Sequence, residues 1–197
     1  RQFGPLGLRF GTTYAWYDVT TTRNVSAGTL SNNLRADYTA STAQAFGEAG
    51  YTLETRLARL EPFAGAALIH QHSDGFSETG GAAALTVSSA SRTLGVTSLG
   101  LRAERPLAEV GPFNASVTGS LAWRHAFGDL DAASTMRFAT GDAFAISGTP
   151  LDRDSALIEA GFRLGLGEGT NVSLTYQGDI GATSRDHGFN ARFSARF

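Results

Sequence analysis

Side chains that change from oily to wet at every residue leave a chain few folds to choose from, and this chain alternates in that way again and again. From Phe189 onward, Phe189, Ala191, Phe193, Ala195 and Phe197 fall on one side of an extended strand, and Asn190, Arg192, Ser194 and Arg196 fall on the other. The reason is geometric: successive strand side chains point to opposite faces. One face is apolar and the other is charged. A soluble sheet would bury such a face under a second layer. A strand with aromatic residues in phase with its oily side is instead expected to have lipid on one side and water on the other.

The same period predicts eight strands, at about 6–20, 34–55, 60–72, 92–105, 113–127, 155–166, 171–180 and 189–197. In the first, Leu6, Leu8, Phe10, Tyr14 and Trp16 share a face. In the fifth, Phe113, Ala115, Val117, Leu121, Trp123 and Phe127 oppose Asn114, Ser116, Thr118, Ser120 and Arg124. Two residues break phase, Phe46 in the second strand and Leu157 in the sixth, and the small residues of the third leave its phase open. Connections alternate in length. Segments 21–33, 73–91 and 128–154 are long and rich in Gly, Ser, Thr and Asp, whereas 56–59, 108–112 and 167–170 are short, with a compact 181–185 on the long side. Outer-membrane barrels alternate their turns and loops in the same manner. Fold class is therefore expected to be all-β, an antiparallel transmembrane β-barrel.

Composition removes several function classes. No apolar run reaches the roughly 18 residues of a membrane-spanning helix, yet a barrel strand needs only alternation, so a hydrophobic fraction of 42% is compatible with it. The absence of cysteine excludes disulfides and thiolate metal sites. All sixteen basic residues are arginines and the net charge is −2, which predicts no nucleic-acid partner. Neither a phosphate-binding loop nor a dinucleotide fingerprint nor a nucleophile elbow occurs, so no catalytic residue and no cofactor is assigned. His70, His72 and Asp74 have a spacing that sets two imidazoles on one strand face, but a strand-end role is favoured over a metal site. His125 and His187 are read as isolated residues facing outward near the rim, and Asn32-Asn33 as part of a turn.

With the apolar faces toward lipid, the water-facing set is Arg9, Glu48, Arg102, Glu104, Arg124, Glu159, Arg163, Arg192 and Arg196. An arginine on the lipid side near the midplane costs about 2–4 kcal/mol. Consistent placement of the charges on one face therefore tells the faces apart. Two roles remain open for the set: bracing the wall, or contacting a polypeptide in the lumen.

Several stretches, in this order, resemble the C-terminal half of the autotransporter β-domain, the translocator of type V secretion: LGLRFGTTYAWYD at Leu6–Asp18, FGEAGY at Phe46–Tyr51, LEPFAGAALIH at Leu60–His70 and GFSETGG at Gly75–Gly81. WRHAFGD at Trp123–Asp129, ALIEAGFRLGLG at Ala156–Gly167 and the terminal ARFSARF complete the series. The resemblance implies a barrel of about twelve strands in the Gram-negative outer membrane, of which residues 1–197 hold about eight. The first strands, the lumen helix and the passenger are expected to lie outside the sequence. It implies as partners outer-membrane lipids, a passenger in cis and the barrel assembly machinery, the last reading Phe189, Phe193 and Phe197 as its signal, and a monomeric barrel. On this reading the domain is a translocator and not an enzyme. The alternatives are a small complete eight-stranded outer-membrane anchor or adhesin and a soluble lipocalin-like barrel, whose apolar face would point inward.

Overall fold

A computed structural model describes residues 2–110, 113–167 and 169–195. Arg196 and Phe197 lie outside the described residues. Eight long strands carry the fold: β1 (Leu6–Ala27), β2 (Leu30–Tyr51), β3 (Arg59–Ser73), β4 (Ala90–Val110), β5 (Phe113–Gly128), β6 (Asp154–Leu166), β7 (Asn171–Gly181) and β8 (Arg185–Ser194). Each pairs antiparallel with the next in one sheet. The sheet is open. The outer edge of β1 carries only the short strand Gln2–Phe3, and β8 has no second neighbour among the described residues.

Register shows how the strands are inclined. The row that begins at Gly7, one residue into β1, runs Gly50, Phe63, Gly100, Ala122, Leu157, Asp179 and ends at Asp186, one residue into β8. Gly7 lies at the short-turn end and Asp186 at the long-connection end, so the strands slip steadily past one another. Tilted barrel strands have this stagger.

The two faces differ sharply in exposure. Phe63, Leu94, Ala122 and Ala126 are buried although most of this face has no second layer over it. On the other face Phe10 is 80%, Phe189 78%, Leu99 60% and Leu121 60% exposed. A flat single sheet would bury an alanine equally little on either side, so the sheet curls toward the Ala122 face. The outward face is the apolar one, which is the reverse of a lipocalin-type interior. Phe46 and Leu157, which break the sequence alternation, both lie on the concave side. Phe46 lays its ring over Gly11, and Leu157 sits in register between Ala122 and Asp179.

Several boundaries differ from the sequence expectation. Segment 21–33 is no loop: β1 and β2 continue through it to a two-residue turn at Gly28-Thr29, where Gly28 takes φ 59°. Asn32 and Asn33 are therefore ladder residues paired with Val25 and Asn24. Strand β2 ends at Tyr51, and Leu53–Glu54 form a separate small hairpin with Arg59 and Leu60. Much of segment 108–112 is strand as well, since β4 runs to Val110 across a bulge at Pro106/Ala108, where a proline without an N–H is tolerated. The last strand starts at Arg185, four residues before Phe189.

Segments 73–91 and 128–154 are long connections that contain strands. Phe76–Ser77, Leu85–Val87, Ala133–Phe138 and Phe144–Ser147 form a second, four-stranded sheet. It is anchored over the concave face at one end by Arg23, whose Nε donates to Glu78 at 3.0 Å, and by Tyr38 stacked on Phe76 at 4.4 Å. Leu34, with 0% exposure, lies on this covered part of β2.

Candidate functional site

The strand ladder places the water-facing charges side by side. Arg9 on β1 is opposite Glu48 on β2, and Glu61 on β3 is opposite Arg102 on β4. The four side chains meet across the strands. Arg9 Nη1 lies 2.8 Å from Glu48 Oε1 and 2.7 Å from Glu61 Oε1, while Arg102 reaches Glu48 Oε2 at 2.6 Å and Glu61 Oε1 at 2.9 Å. Two guanidinium groups thus hold two carboxylates in a quartet without net charge. The Arg102 guanidinium also lies 3.7 Å from the centroid of the Phe63 ring, a cation–π contact. Both glutamate side chains are only 18% exposed, so this is more than a surface pair.

Further pairs continue along the same face. Glu104 stands between Arg59 at 3.9 Å and Arg163 at 3.7 Å, and Arg124 reaches Asp179 at 2.6 Å. Register puts Glu159 opposite Ser120, itself opposite Arg102, and puts Arg192 opposite Ser173, itself opposite Arg163. Every expected charge that the structure describes therefore lies on the concave face. Glu159 and Arg192 have no ion pair among the described residues. Sequence reasoning missed Glu61, Asp179 and Arg59. Glu61 was hidden by the unreadable phase of β3, although its neighbour Pro62, now on the apolar face opposite Leu101, was a usable marker.

His70, His72 and Asp74 do not gather ligands. His72 Nε2 contacts Asp74 at 3.1 Å, while His70 turns to Thr93, and no group of three potential ligands is assembled among the described residues. Nor are His125 and His187 isolated, because His125 pairs with Asp154 at 2.8 Å and His187 meets Tyr176 OH at 2.8 Å.

At the long-connection end Asp152 makes a separate polar cluster. Its carboxylate accepts from the backbone N–H and hydroxyl of both Thr183 and Ser184, at 2.8–3.1 Å. Thus it ties connection 128–154 to the β7–β8 turn. These donors favour the charged form and hold the Asp152 carboxyl down to about 2, with the Thr183 and Ser184 hydroxyls first among them. Because the folded value is depressed, the tie is complete above the ordinary value of 3.8 and is lost as pH falls toward about 2. Pepsin digestion is expected to cut the 128–154 segment increasingly over that window. Asp152→Ala should make the segment pepsin-sensitive already at the upper end.

A curled antiparallel sheet with lipid-compatible residues outside and paired charges inside defines a β-barrel class of membrane domain. The family model of the autotransporter beta-domain matches residues 1–177. Two proteins of Serratia marcescens, each described as an extracellular serine protease, are 34% identical to it over 198 residues. The alignments cover 100% of this chain but 19% of each relative, so the chain spans about a fifth of their length. The chain belongs to the autotransporter β-domain family, outer-membrane β-barrels of type V secretion in Gram-negative bacteria.

Proposed function

We propose that residues 1–197 are the translocator part of a larger autotransporter, which exports a passenger encoded upstream and displays it on the cell surface. The observation that carries this reading is the charge-lined concave face in a family member. Its paired charges offer a polypeptide a polar passage without strong attachment, because each guanidinium of the quartet is already neutralised. The relatives are about five times as long as the chain, which leaves room for a passenger. Enzymatic activity of the kind named for those relatives belongs, on this reading, to the passenger. The domain itself makes and breaks no bonds.

Closure calls for further strands, and the family resemblance puts their total at about twelve. In hydrocarbon every backbone N–H and C=O needs a partner, and neither β1 nor β8 fills its outer edge with the other. Upstream strands of the intact protein are the partners we assign to those edges, with β1 beside the strand before it. The finished barrel works as a monomer. Phe189 and Phe193 lie on the exposed apolar face, and together with Phe197 in the sequence they serve as the signal for the barrel assembly machinery.

The test is surface display by the full-length protein. Externally added protease should shave the upstream region from intact cells, and deletion of residues 1–197 should leave that region periplasmic and protected. An upstream region that reaches the surface without these residues would rule the translocator role out.

A further inference from the structure

All four histidines of the chain occupy one kind of place. Each lies on the apolar face toward the long-connection end of its strand; the oily run gives way at His70 and at His187, while on the strand of His125 one aromatic residue, Phe127, follows. On β3 the outward series Ala64, Ala66, Leu68 gives way to His70 and His72. On β5 His125 stands between Trp123 and Phe127, and on β8 Phe193, Ala191 and Phe189 lead to His187 and then Arg185. Opposite His125, β6 changes from Ala156 to Asp154.

Three of the rings are oriented alike. His70 Nδ1 lies 2.9 Å from Thr93 Oγ1, His125 Nδ1 2.8 Å from Asp154 Oδ1, and His187 Nδ1 2.8 Å from Tyr176 OH. The Nε2 atoms of these rings have no partner among the described residues. His72 differs, with Nδ1 on Ser91 at 2.7 Å and Nε2 on Asp74 at 3.1 Å. Because the Asp154 carboxylate can only accept, His125 Nδ1 carries the proton. A neutral His125 therefore presents a bare acceptor at Nε2 and becomes a donor there only on protonation.

We propose that His70, His125 and His187 form a headgroup-binding tier, whose Nε2 atoms meet anionic lipid phosphates at the membrane boundary. This rests on the assignment of the apolar face to lipid. The occupant follows from continuity: side chains on a lipid-facing surface, toward the end of its apolar run, meet headgroups. Charge agrees with it: Arg185 follows His187 on the same face, so phosphate finds a further cation beside that ring. Asp154 beside His125 and Asp74 beside His72 are the opposing acids, while His70 faces Thr93 and Ala43, and His187 faces Gly178 and Tyr176, without one.

The test uses the full-length protein with nitrogen-15 histidine in vesicles of phosphatidylcholine and phosphatidylglycerol in equal parts, read by solid-state nitrogen–phosphorus dephasing. Three imidazole signals should dephase, and each should be missing from the dephased set in the matching single variant, His70→Gln, His125→Gln or His187→Gln, whereas His72 should stay silent throughout. Absence of dephasing overturns the proposal. Transfer of proton magnetisation from lipid acyl chains to Leu121 and Phe189 separates the causes. Where that transfer is present without phosphate contact, the tier alone is wrong; where it is absent too, the facing of the sheet is wrong.

Discussion

Leu121→Arg is expected to cripple folding into a bilayer, while Ser120→Arg one residue away is expected to pass almost unnoticed. Leu121 is 60% exposed near the middle of β5 and lies in register between Leu101 and Ile158, an apolar row on the outward face. A guanidinium there must enter hydrocarbon, at a cost of about 2–4 kcal/mol near the midplane. Ser120 points the other way, directly opposite Glu159 and Arg102. An arginine at 120 finds Glu159, which has no ion pair among the described residues, so its charge is met. Urea unfolding of the full-length protein in phospholipid vesicles reads the difference. Equal effects, or a larger effect at 120, would reverse the facing of the whole sheet, because a strand that turns over moves every side chain at once.

Period-two alternation, with turn chemistry between the segments, made the strands legible, and it fixed their facing where a segment has oil on one side only. Where that contrast is missing the signal fades. The outer halves of β1 and β2 extend to Ala27 and Leu30 with Thr, Asn, Ser and Arg along both faces. They read as loop, yet they are held by an unbroken ladder and covered by the second sheet. In β3, Ala64, Gly65, Ala66 and Ala67 offer no polarity difference between faces. Its phase emerges only through space, where Glu61 meets Arg9 and Arg102. For the same reason the candidate site was half visible. Arg9, Glu48 and Arg102 could be assigned to one face from alternation, but the quartet they complete needs a partner from the unreadable strand. Phe46 and Leu157 looked like phase errors, and register makes them part of the concave wall, where a curled sheet has room for a few apolar side chains beside its charges.

The quartet supplies the second large effect. Arg102→Met should destabilise the protein by roughly 2–3 kcal/mol, below the 3–5 kcal/mol of a fully buried pair broken on one side, because the Arg102 side chain is 37% exposed and solvent screens part of the loss. The cost comes from what remains. Glu48 and Glu61, each 18% exposed, are left with two negative charges facing the one guanidinium of Arg9. Removing one of those charges should therefore repair much of the damage, so that Glu48→Gln with Arg102→Met is more stable than Arg102→Met alone. That inversion, a second substitution that stabilises, is the signature of a coupled network. Arg102→Lys should fall between, since an ammonium retains the charge but not the two-pronged reach from Glu48 to Glu61 or the planar stack on Phe63. If the concave face were instead an open surface where water solvates each carboxylate fully, Arg102→Met would cost at most about 1 kcal/mol and Glu48→Gln would add nothing. Denaturant midpoints for the four proteins in vesicles, at low and high salt, decide between a braced, partly dehydrated wall and a row of independent charges.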